Sequence, residues 1–561
     1  MLISPVTSAL LMNDILIQST QATSPENGRK WLFWDLKEAA GLLALSLVFV
    51  FITFRGTDPG KSAFLDLNPH PDCVEYAVVA NRIYQGLGAD LSINGFNFPS
   101  RYPVGFPLAL ALLHPLFGGS ARAVIVWAPI LFMVASLWAY YALLRRCAGR
   151  AAAWGGTLFY ACNPCILLLA GGLYSESLLA LLTVLFAGFF IETVETGASR
   201  PAILFGLLAG FSILVRTQVV ITLPFFVVAW FWLSRHRFEI RPIVLAFCAG
   251  APFAIALAVM QWRQFGSPLA TGYAYHLQDL NLKLLSPGYL REDLGVYIPG
   301  LFFGRAMPGP SIRMPFVPLV LPFLALAGMF GAWRKGGGKA VIASVFFMGI
   351  TFLFFCCYVF RDIRFFIQML IVYFAWAGVG AAWLTNRIRQ PWGTLALAGI
   401  VAVALAAPIG TRKTPAVFAL RWREQPQSAR LYLNFLGADL AMHRAAAGKA
   451  QPALFTAGNL ALLDFYTDEF LFYPLSKSQE YARVSKIRAA FPETIDSLLV
   501  KNVPVYVTDM GVEQSEESLA FQQIKEDFEL VAVPCPMEGA GLYRVIQRKQ
   551  TLPGRGYWGG E

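Results

Sequence analysis

Long apolar runs broken by short charged clusters occupy most of the chain. A membrane-spanning helix needs about 20 mostly apolar residues. Runs of that kind fall at 39–54, 121–144, 151–171, 176–192, 201–215, 219–233, 242–262, 314–333, 340–359, 365–384 and 393–409. The pattern therefore predicts about eleven transmembrane helices. Past residue 410 the pattern changes: charge rises, and short apolar runs alternate with amphipathic stretches. Ala453–Ala457, Val505–Thr508, Leu530–Val533 and Leu542–Ile546 read as short buried strands, and Ser428–Ala447 and Ser478–Ala490 as amphipathic helices. The expected organisation is a cytoplasmic segment (1–38), a polytopic α-helical membrane domain (39–409) with long external loops at 55–120 and 263–313, and a small extracytoplasmic α/β domain (410–561).

Composition agrees with a membrane protein and excludes a single soluble core. Hydrophobic residues make up 57% of the chain and charged residues only 14%, with a mean hydropathy of +0.55; a soluble domain averages about a quarter charged. The net charge of +11 would hint at nucleic acid in a soluble protein. Here the basic residues sort by loop instead. Arg145, Arg146, Arg150, Arg200, Arg235, Arg237, Arg241, Arg334, Lys335, Lys339, Arg387 and Arg389 fall on one side, while the short turns on the other side carry only Arg216, Arg361 and Arg364. By the positive-inside rule the N-terminus is cytoplasmic and, with an odd number of spans, the C-terminal domain is outside. No secretory signal is expected at the N-terminus, because Asn13, Asp14 and Gln18 interrupt its apolar residues.

Several familiar chemistries find no support. The chain has no Walker loop, dinucleotide fingerprint or Gly-x-Ser-x-Gly elbow. His70, His114, His276 and His443 are unclustered, so no zinc pattern exists. Cys162-Asn163-Pro164-Cys165 has a redox spacing but lies in an apolar run without a second pair, where buried small residues are the plainer reading. Cys73 and Cys535 lie outside the apolar runs, and nothing in their spacing supports a disulfide.

Candidate chemistry gathers at the outer ends of the spans. Asp72, Glu75 and Tyr76 share one face of a helix-like stretch, Asp72 to Gln85. Two carboxylates beside a membrane suit a general base or a metal site; the alternative is a helix start with Asp72 as N-cap and Glu75 at N3. Arg101 and Tyr102 precede an irregular turn with Pro103, Gly105 and Pro107. Arg101 suits a phosphate, or both residues serve as interfacial anchors. Glu176, in Tyr174-Ser175-Glu176-Ser177, lies at or near membrane depth. It reads either as functional or as part of a helix start capped by Ser175. Arg216, Arg361 and Arg364 oppose the charge-sorting rule. They point to an anionic ligand at the outer leaflet, or to internal pairing such as Arg361 with Asp362 or Glu176.

In their order these segments resemble a known family. The order is one span, then Asp72-x-x-Glu75-Tyr76-x-x-x-Ala80 with Gly86 and Gly88, Arg101-Tyr102-Pro103-x-Gly105-x-Pro107-Leu108, Ser175-Glu176-Ser177, Val215-Arg216-x-Gln218 and Asp362-x-Arg364-Phe365. This resembles the bacterial GT-C glycosyltransferases related to dolichyl-phosphate-mannose protein mannosyltransferases and to the lipid A aminoarabinose transferase. The resemblance covers about residues 39–400. It implies a GT-C-like membrane domain in the bacterial inner membrane that transfers a sugar, with inversion, from a polyprenyl-phosphate donor to a lipid, glycan or protein acceptor. It implies an acidic base in the first external loop, at Asp72 or Glu75, and donor contacts from Tyr76, Arg101, Tyr102, Glu176, Arg216, Arg361 and Arg364. Many relatives have adjacent acidic residues where this chain has Asp72 followed by Cys73. No cofactor is firmly implied, a divalent metal stays open, and membrane lipids rather than nucleic acid are the expected surroundings. Two other readings compete: a flippase for lipid-linked sugar, using the same arginines without a base, and a non-catalytic membrane subunit with an external binding domain.

Overall fold

The computed structural model describes residues 35–55, 71–234, 239–277, 283–303 and 320–387, and in the C-terminal part 451–457, 460–466, 470–476, 492–508, 515–533 and 541–549. The expected span at 393–409 falls almost wholly outside the described residues. So do the expected helices Ser428–Ala447 and Ser478–Ala490, together with His70, Arg235, Arg237, Arg389, His443 and Cys535.

The first part of the chain runs through helix α1 (Leu36–Arg55), α2 (Pro71–Tyr84), a hairpin of β1 (Leu91–Ile93) and β2 (Phe96–Phe98), and α3 (Gly105–Leu113). Next come α4 (Ala121–Ala148), α5 (Arg150–Ala161), α6 (Pro164–Gly171), α7 (Ser175–Thr196), α8 (Ser199–Val215) and α9 (Leu223–Leu233). They are followed by α10 (Ile240–Phe265), α11 (Gly272–Leu277), α12 (Leu290–Phe303), α13 (Val320–Arg334), α14 (Gly338–Cys356) and α15 (Ile367–Thr385). The C-terminal part adds β3 (Ala453–Thr456), α16 (Leu460–Tyr466), β4 (Leu471–Pro474), α17 (Pro492–Val500), β5 (Val505–Thr508), α18 (Ser515–Asp527), β6 (Phe528–Val533) and β7 (Leu542–Arg548). Two compact units result: residues 1–58, 103–106 and 123–424, and residues 59–102, 107–122 and 425–561.

In the first unit every expected span up to 365–384 coincides with a helix or a helix pair, but not all are full length. Six helices among the described residues are long and apolar enough to cross a membrane, or seven if α5 and α6 count as one span bent by 65°. The pattern predicts about eleven, and local breaks account for much of the difference. Between α5 and α6, Asn163 caps the backbone N–H of Cys165 and Pro164 opens the new helix. The Cys-x-x-Cys spacing is thus a helix break, and both thiols are free. Likewise α8 stops where Arg216 takes extended backbone, and a 3₁₀ stretch (Thr217–Thr222) leaves α9 only 11 residues.

Helix α15 is the interior element, with 78% of its span buried, whereas only 11% of α10 is. Small residues let its neighbours approach at backbone distance. A side chain on Gly378 would collide with the backbone of Gly156 and Ala152 on α5, and one on Gly380 with Leu324 and Gly328 on α13. Gly210 and Gly250 pack α8 on α10 in the same way: a Cβ on Gly210 would sit 2.7 Å from the Cα of Gly250.

In the second unit the C-terminal strands form one five-stranded sheet in the order β4-β3-β5-β7-β6. Strands β4, β3 and β5 are parallel, and β7 and β6 complete the sheet antiparallel. Strands β3 (Ala-Leu-Phe-Thr) and β5 (Val-Tyr-Val-Thr) are buried at every position, the pattern of strands covered on both faces. Ile495 and Leu498 of α17 and Phe521 and Ile524 of α18 share their core with Phe455 and Val507. The four expected strands are present, Val505–Thr508 with the same ends and the other three with shifted ones. Strand β4 and helices α16, α17 and α18 add to what the pattern predicts. The same unit holds α2 and the β1–β2 hairpin, and α16 packs on both.

Candidate active site

Pro71 opens α2 and Asp72 lies in its first turn; proline suits that position because its missing N–H would have no helical partner anyway. The two acidic residues then part company. Glu75, fully buried, accepts hydrogen bonds from Ser100 Oγ (2.8 Å) and the Arg101 backbone N–H (2.8 Å), and forms an ion pair with Arg101 Nε (2.5 Å). Asp72, 5% exposed, accepts from the Tyr102 hydroxyl. The Tyr102 ring lies 5.0 Å from that of buried Tyr76, and the Arg101 guanidinium lies 5.8 Å from the Tyr102 ring. So Ser100-Arg101-Tyr102 folds back over α2, binding Glu75 with three donors and Asp72 with one phenol. The acidic pair thus joins the first two turns of α2 to the segment that follows β2.

A second cluster forms in the other unit, where three turns at helix ends interleave. Arg216, 4% exposed, donates through Nε to Ser175 Oγ (2.9 Å), pairs through Nη2 with Glu176 and lies over the Phe365 ring (5.2 Å). Ser175 is the first residue of α7, and the capping position is Tyr174, whose side chain makes no cap bond. The Ser175 hydroxyl therefore serves Arg216 rather than the helix start. Arg364, 3% exposed, pairs with Asp362 (2.7 Å), whose other oxygen accepts the Arg364 N–H (2.9 Å). Its guanidinium lies 4.2 Å from the Tyr174 ring. A small open pocket adjoins this cluster, lined by Glu176, Leu179, Arg216, Gln218, Val219, Phe355, Phe365 and Gln368. Gln368 donates to Thr183 (3.3 Å), which fixes its amide at the cavity wall.

Arg361 goes elsewhere. It binds Asp293 and Glu292 of α12, not Asp362 or Glu176, the two internal partners that the sequence suggested. The Tyr297 hydroxyl accepts the Asp362 N–H (3.1 Å), and Ser286 N–H donates to Cys357 O (2.8 Å), so residues 284–297 lie along the Arg361 turn. Asp293 is fully buried, and its Oδ2 has no hydrogen-bond partner among the described residues. Burial pushes its carboxyl up, against the opposing pull of the Arg361 hydrogen bond. Glu292 and then Asp293 raise Arg361 through their hydrogen bonds, and burial raises the Tyr297 phenol.

The nine residues singled out in the sequence thus fall into two sets, each inside one unit. Asp72, Glu75, Tyr76, Arg101 and Tyr102 form the first, and Glu176, Arg216 and Arg364 the second, with Arg361 beside the second but facing α12. Ser100, Asp293, Tyr297 and Gln368 escape the sequence argument. Only Asp293 leaves a signal, as half of the adjacent acidic pair Glu292-Asp293 in the long segment between two apolar runs. No three His, Cys, Asp or Glu side chains converge as a metal site would need, among the described residues, and protein donors engage Glu75.

Residues 101–262 match the family model described as dolichyl-phosphate-mannose-protein mannosyltransferase. The stretch includes Arg101, Tyr102, Glu176 and Arg216. The fold is similar to that of ArnT from Cupriavidus metallidurans bound to undecaprenyl phosphate, with a TM-score of 0.60 at 12% identity, covering 90% of this chain and 98% of that one. The chain has the GT-C fold. The same GT-C fold relates it to the archaeal oligosaccharyltransferase AglB from Archaeoglobus fulgidus in complex with an inhibitory peptide and a dolichol-phosphate (TM-score 0.52, 13% identity, 90% of this chain, 74% of that one). It also relates it to the arabinofuranosyltransferase AftD from Mycobacteria (TM-score 0.50, 17% identity, 90% of this chain, 40% of that one). No curated protein matches the sequence.

Proposed function

We propose that this chain is a membrane glycosyltransferase that moves a sugar from a polyprenyl-phosphate donor to a lipid, glycan or protein acceptor at the outer face of the bacterial inner membrane. The observation that carries this reading is the cavity edged by Arg216. A buried guanidinium at the ends of apolar helices, beside an open cavity with apolar and amide walls, suits a phosphate whose lipid tail stays in the bilayer. The likeness to structures holding undecaprenyl phosphate and dolichol-phosphate supports the same class of donor.

The chemistry assigns separate tasks. Asp72 takes the proton from the acceptor hydroxyl as its oxygen attacks the anomeric carbon. The bond from that carbon to the phosphate oxygen breaks, and its electron pair leaves with the polyprenyl phosphate. Attack from the face opposite the phosphate inverts the anomeric centre. Phosphate is already a good leaving group, so it needs charge neutralisation more than a proton; Arg216 and Arg364 supply it. Glu75, bound by three donors, anchors the loop instead of acting as base, and Tyr102 orients Asp72. Tyr76 and Arg101 hold that loop, and Arg361 holds α12 beside the donor site. The N-terminus is cytoplasmic, and the first loop and C-terminal domain lie outside. Hydrogen bonds between Asn94 and Phe472 support placing that loop and that domain on the same side, because bonded segments share one side of a membrane.

The test is binding of undecaprenyl phosphate to the purified protein in nanodiscs. Arg364→Ala is expected to weaken it at least about tenfold, the loss of one charge-assisted hydrogen bond to an ionised group. An affinity equal to wild type in a folded variant would make Arg364 a structural partner of Asp362 only.

A further inference from the structure

The hairpin behind the acidic helix carries an asparagine that reaches the C-terminal sheet. Ile93 pairs with Phe96, so the β1–β2 turn has two residues, Asn94 and Gly95, both at positive φ (53° and 78°). That geometry favours Asn, Asp or Gly. Glycine would satisfy the turn equally, but Asn94 adds an amide with a donor and an acceptor. Both are used on one residue of strand β4: the Phe472 N–H donates to Asn94 Oδ1 (2.8 Å), and Asn94 Nδ2 donates to Phe472 O (2.8 Å). β4 is an edge strand, so the amide acts there as a one-residue substitute for a further strand. The Asn94 N–H donates to Asp464 (3.2 Å) on α16, the helix that packs on α2 and β1.

The same hairpin is tied to the acidic residues on both sides. Arg82 of α2 donates to Leu87 O (3.2 Å) and to Asn97 Oδ1 (3.0 Å). Directly after β2 come Ser100, Arg101 and Tyr102, which hold Glu75 and Asp72. A path of hydrogen bonds and connecting backbone therefore leads from the C-terminal sheet through Asn94 and the hairpin to Asp72. We infer that Asn94 is a positioning residue: its paired bonds to Phe472 make the C-terminal domain the brace that holds the acidic loop. The inference rests on the reading of Asp72 as the base, and it gives the C-terminal domain a task in the reaction.

Asn94→Gly isolates the brace, because glycine keeps the turn and removes only the amide. The experiment compares full-length wild type and Asn94→Gly in nanodiscs by hydrogen–deuterium exchange, then by turnover. In the variant the Phe472 amide and residues 71–84 are expected to exchange about tenfold faster on losing the two side-chain hydrogen bonds, while α15 exchanges as before. Unchanged exchange at 71–84 would overturn the inference, whatever the activity. In turnover with polyprenyl-phosphate mannose and polyprenyl-phosphate arabinose as probes, kcat is expected to fall about tenfold with undecaprenyl phosphate affinity unchanged. Wild-type kcat in the variant would also overturn it. If wild type transfers neither sugar while 71–84 loosens as expected, the brace stands and the glycosyltransferase reading fails for those donors.

Discussion

Glu176 and Arg216 are buried as a pair at the end of an apolar helix, where neither charge would be tolerated alone. Removing one partner leaves the other charged and desolvated. Glu176→Ala is expected to lower unfolding stability by about 3–5 kcal/mol, and the double variant Glu176→Leu/Arg216→Met by less. Thermal denaturation in detergent checks this, and a double variant weaker than the single would contradict it. Asp293 gives a pH signature. Its carboxyl is raised by burial, so the fold favours the protonated form. Its contribution is full below the ordinary carboxylate range of about 4 and is lost as pH rises through the raised value. Asp293→Asn should remove that part of the pH dependence, seen as a flatter melting-temperature profile above pH 4; an unchanged profile would sink the assignment. The sequence marked Arg216, Arg361 and Arg364 as exceptions to its charge sorting. It could not show their partners. Arg364 pairs with its neighbour but one, Asp362, whereas Arg361 finds α12 and Arg216 finds α7, and such pairings depend on how distant segments fold together.

At the level of elements, hydropathy marks a helix by what it excludes from water but is blind to how helices meet. The apolar runs were therefore legible, while the interior position of α15 was not. That position rests on Gly378 facing Gly156 and on Gly380 facing Gly328. Gly378→Val and Gly380→Val are each expected to push backbones apart and destabilise by about 1–3 kcal/mol or more. Gly349→Ala, with nothing within 4 Å of its Cβ position, should be nearly neutral; equal melting temperatures for all three would contradict the packing account. Strands β3 and β5 were readable because both faces are buried and every position is apolar or Thr. Strand β4 was not: Leu-Phe-Tyr-Pro is short, half-buried by alternation and ends on proline, which suits an edge better than a sheet interior. The brace at Asn94 was equally hidden, since an Asn-Gly pair announces a turn but not what its amide reaches.

For the whole molecule, the helical unit holds the Arg216 and Arg364 cluster, and the second unit carries Asp72 on α2 together with the hairpin that is bonded to the C-terminal sheet. Composition and loop charge indicated a membrane protein with a direction. The GT-C fold agrees with the resemblance read in the sequence. Asp72 carries the proposed chemistry, and transfer in proteoliposomes tests its role most directly. Wild type and Asp72→Asn are reconstituted with polyprenyl-phosphate-linked sugar and an envelope extract as acceptor, and sugar transfer and undecaprenyl phosphate binding are measured on the same preparations. The expected result is transfer by wild type, a loss of at least about a hundredfold in Asp72→Asn, and equal binding of undecaprenyl phosphate by both. Transfer at the wild-type rate by Asp72→Asn would contradict the account.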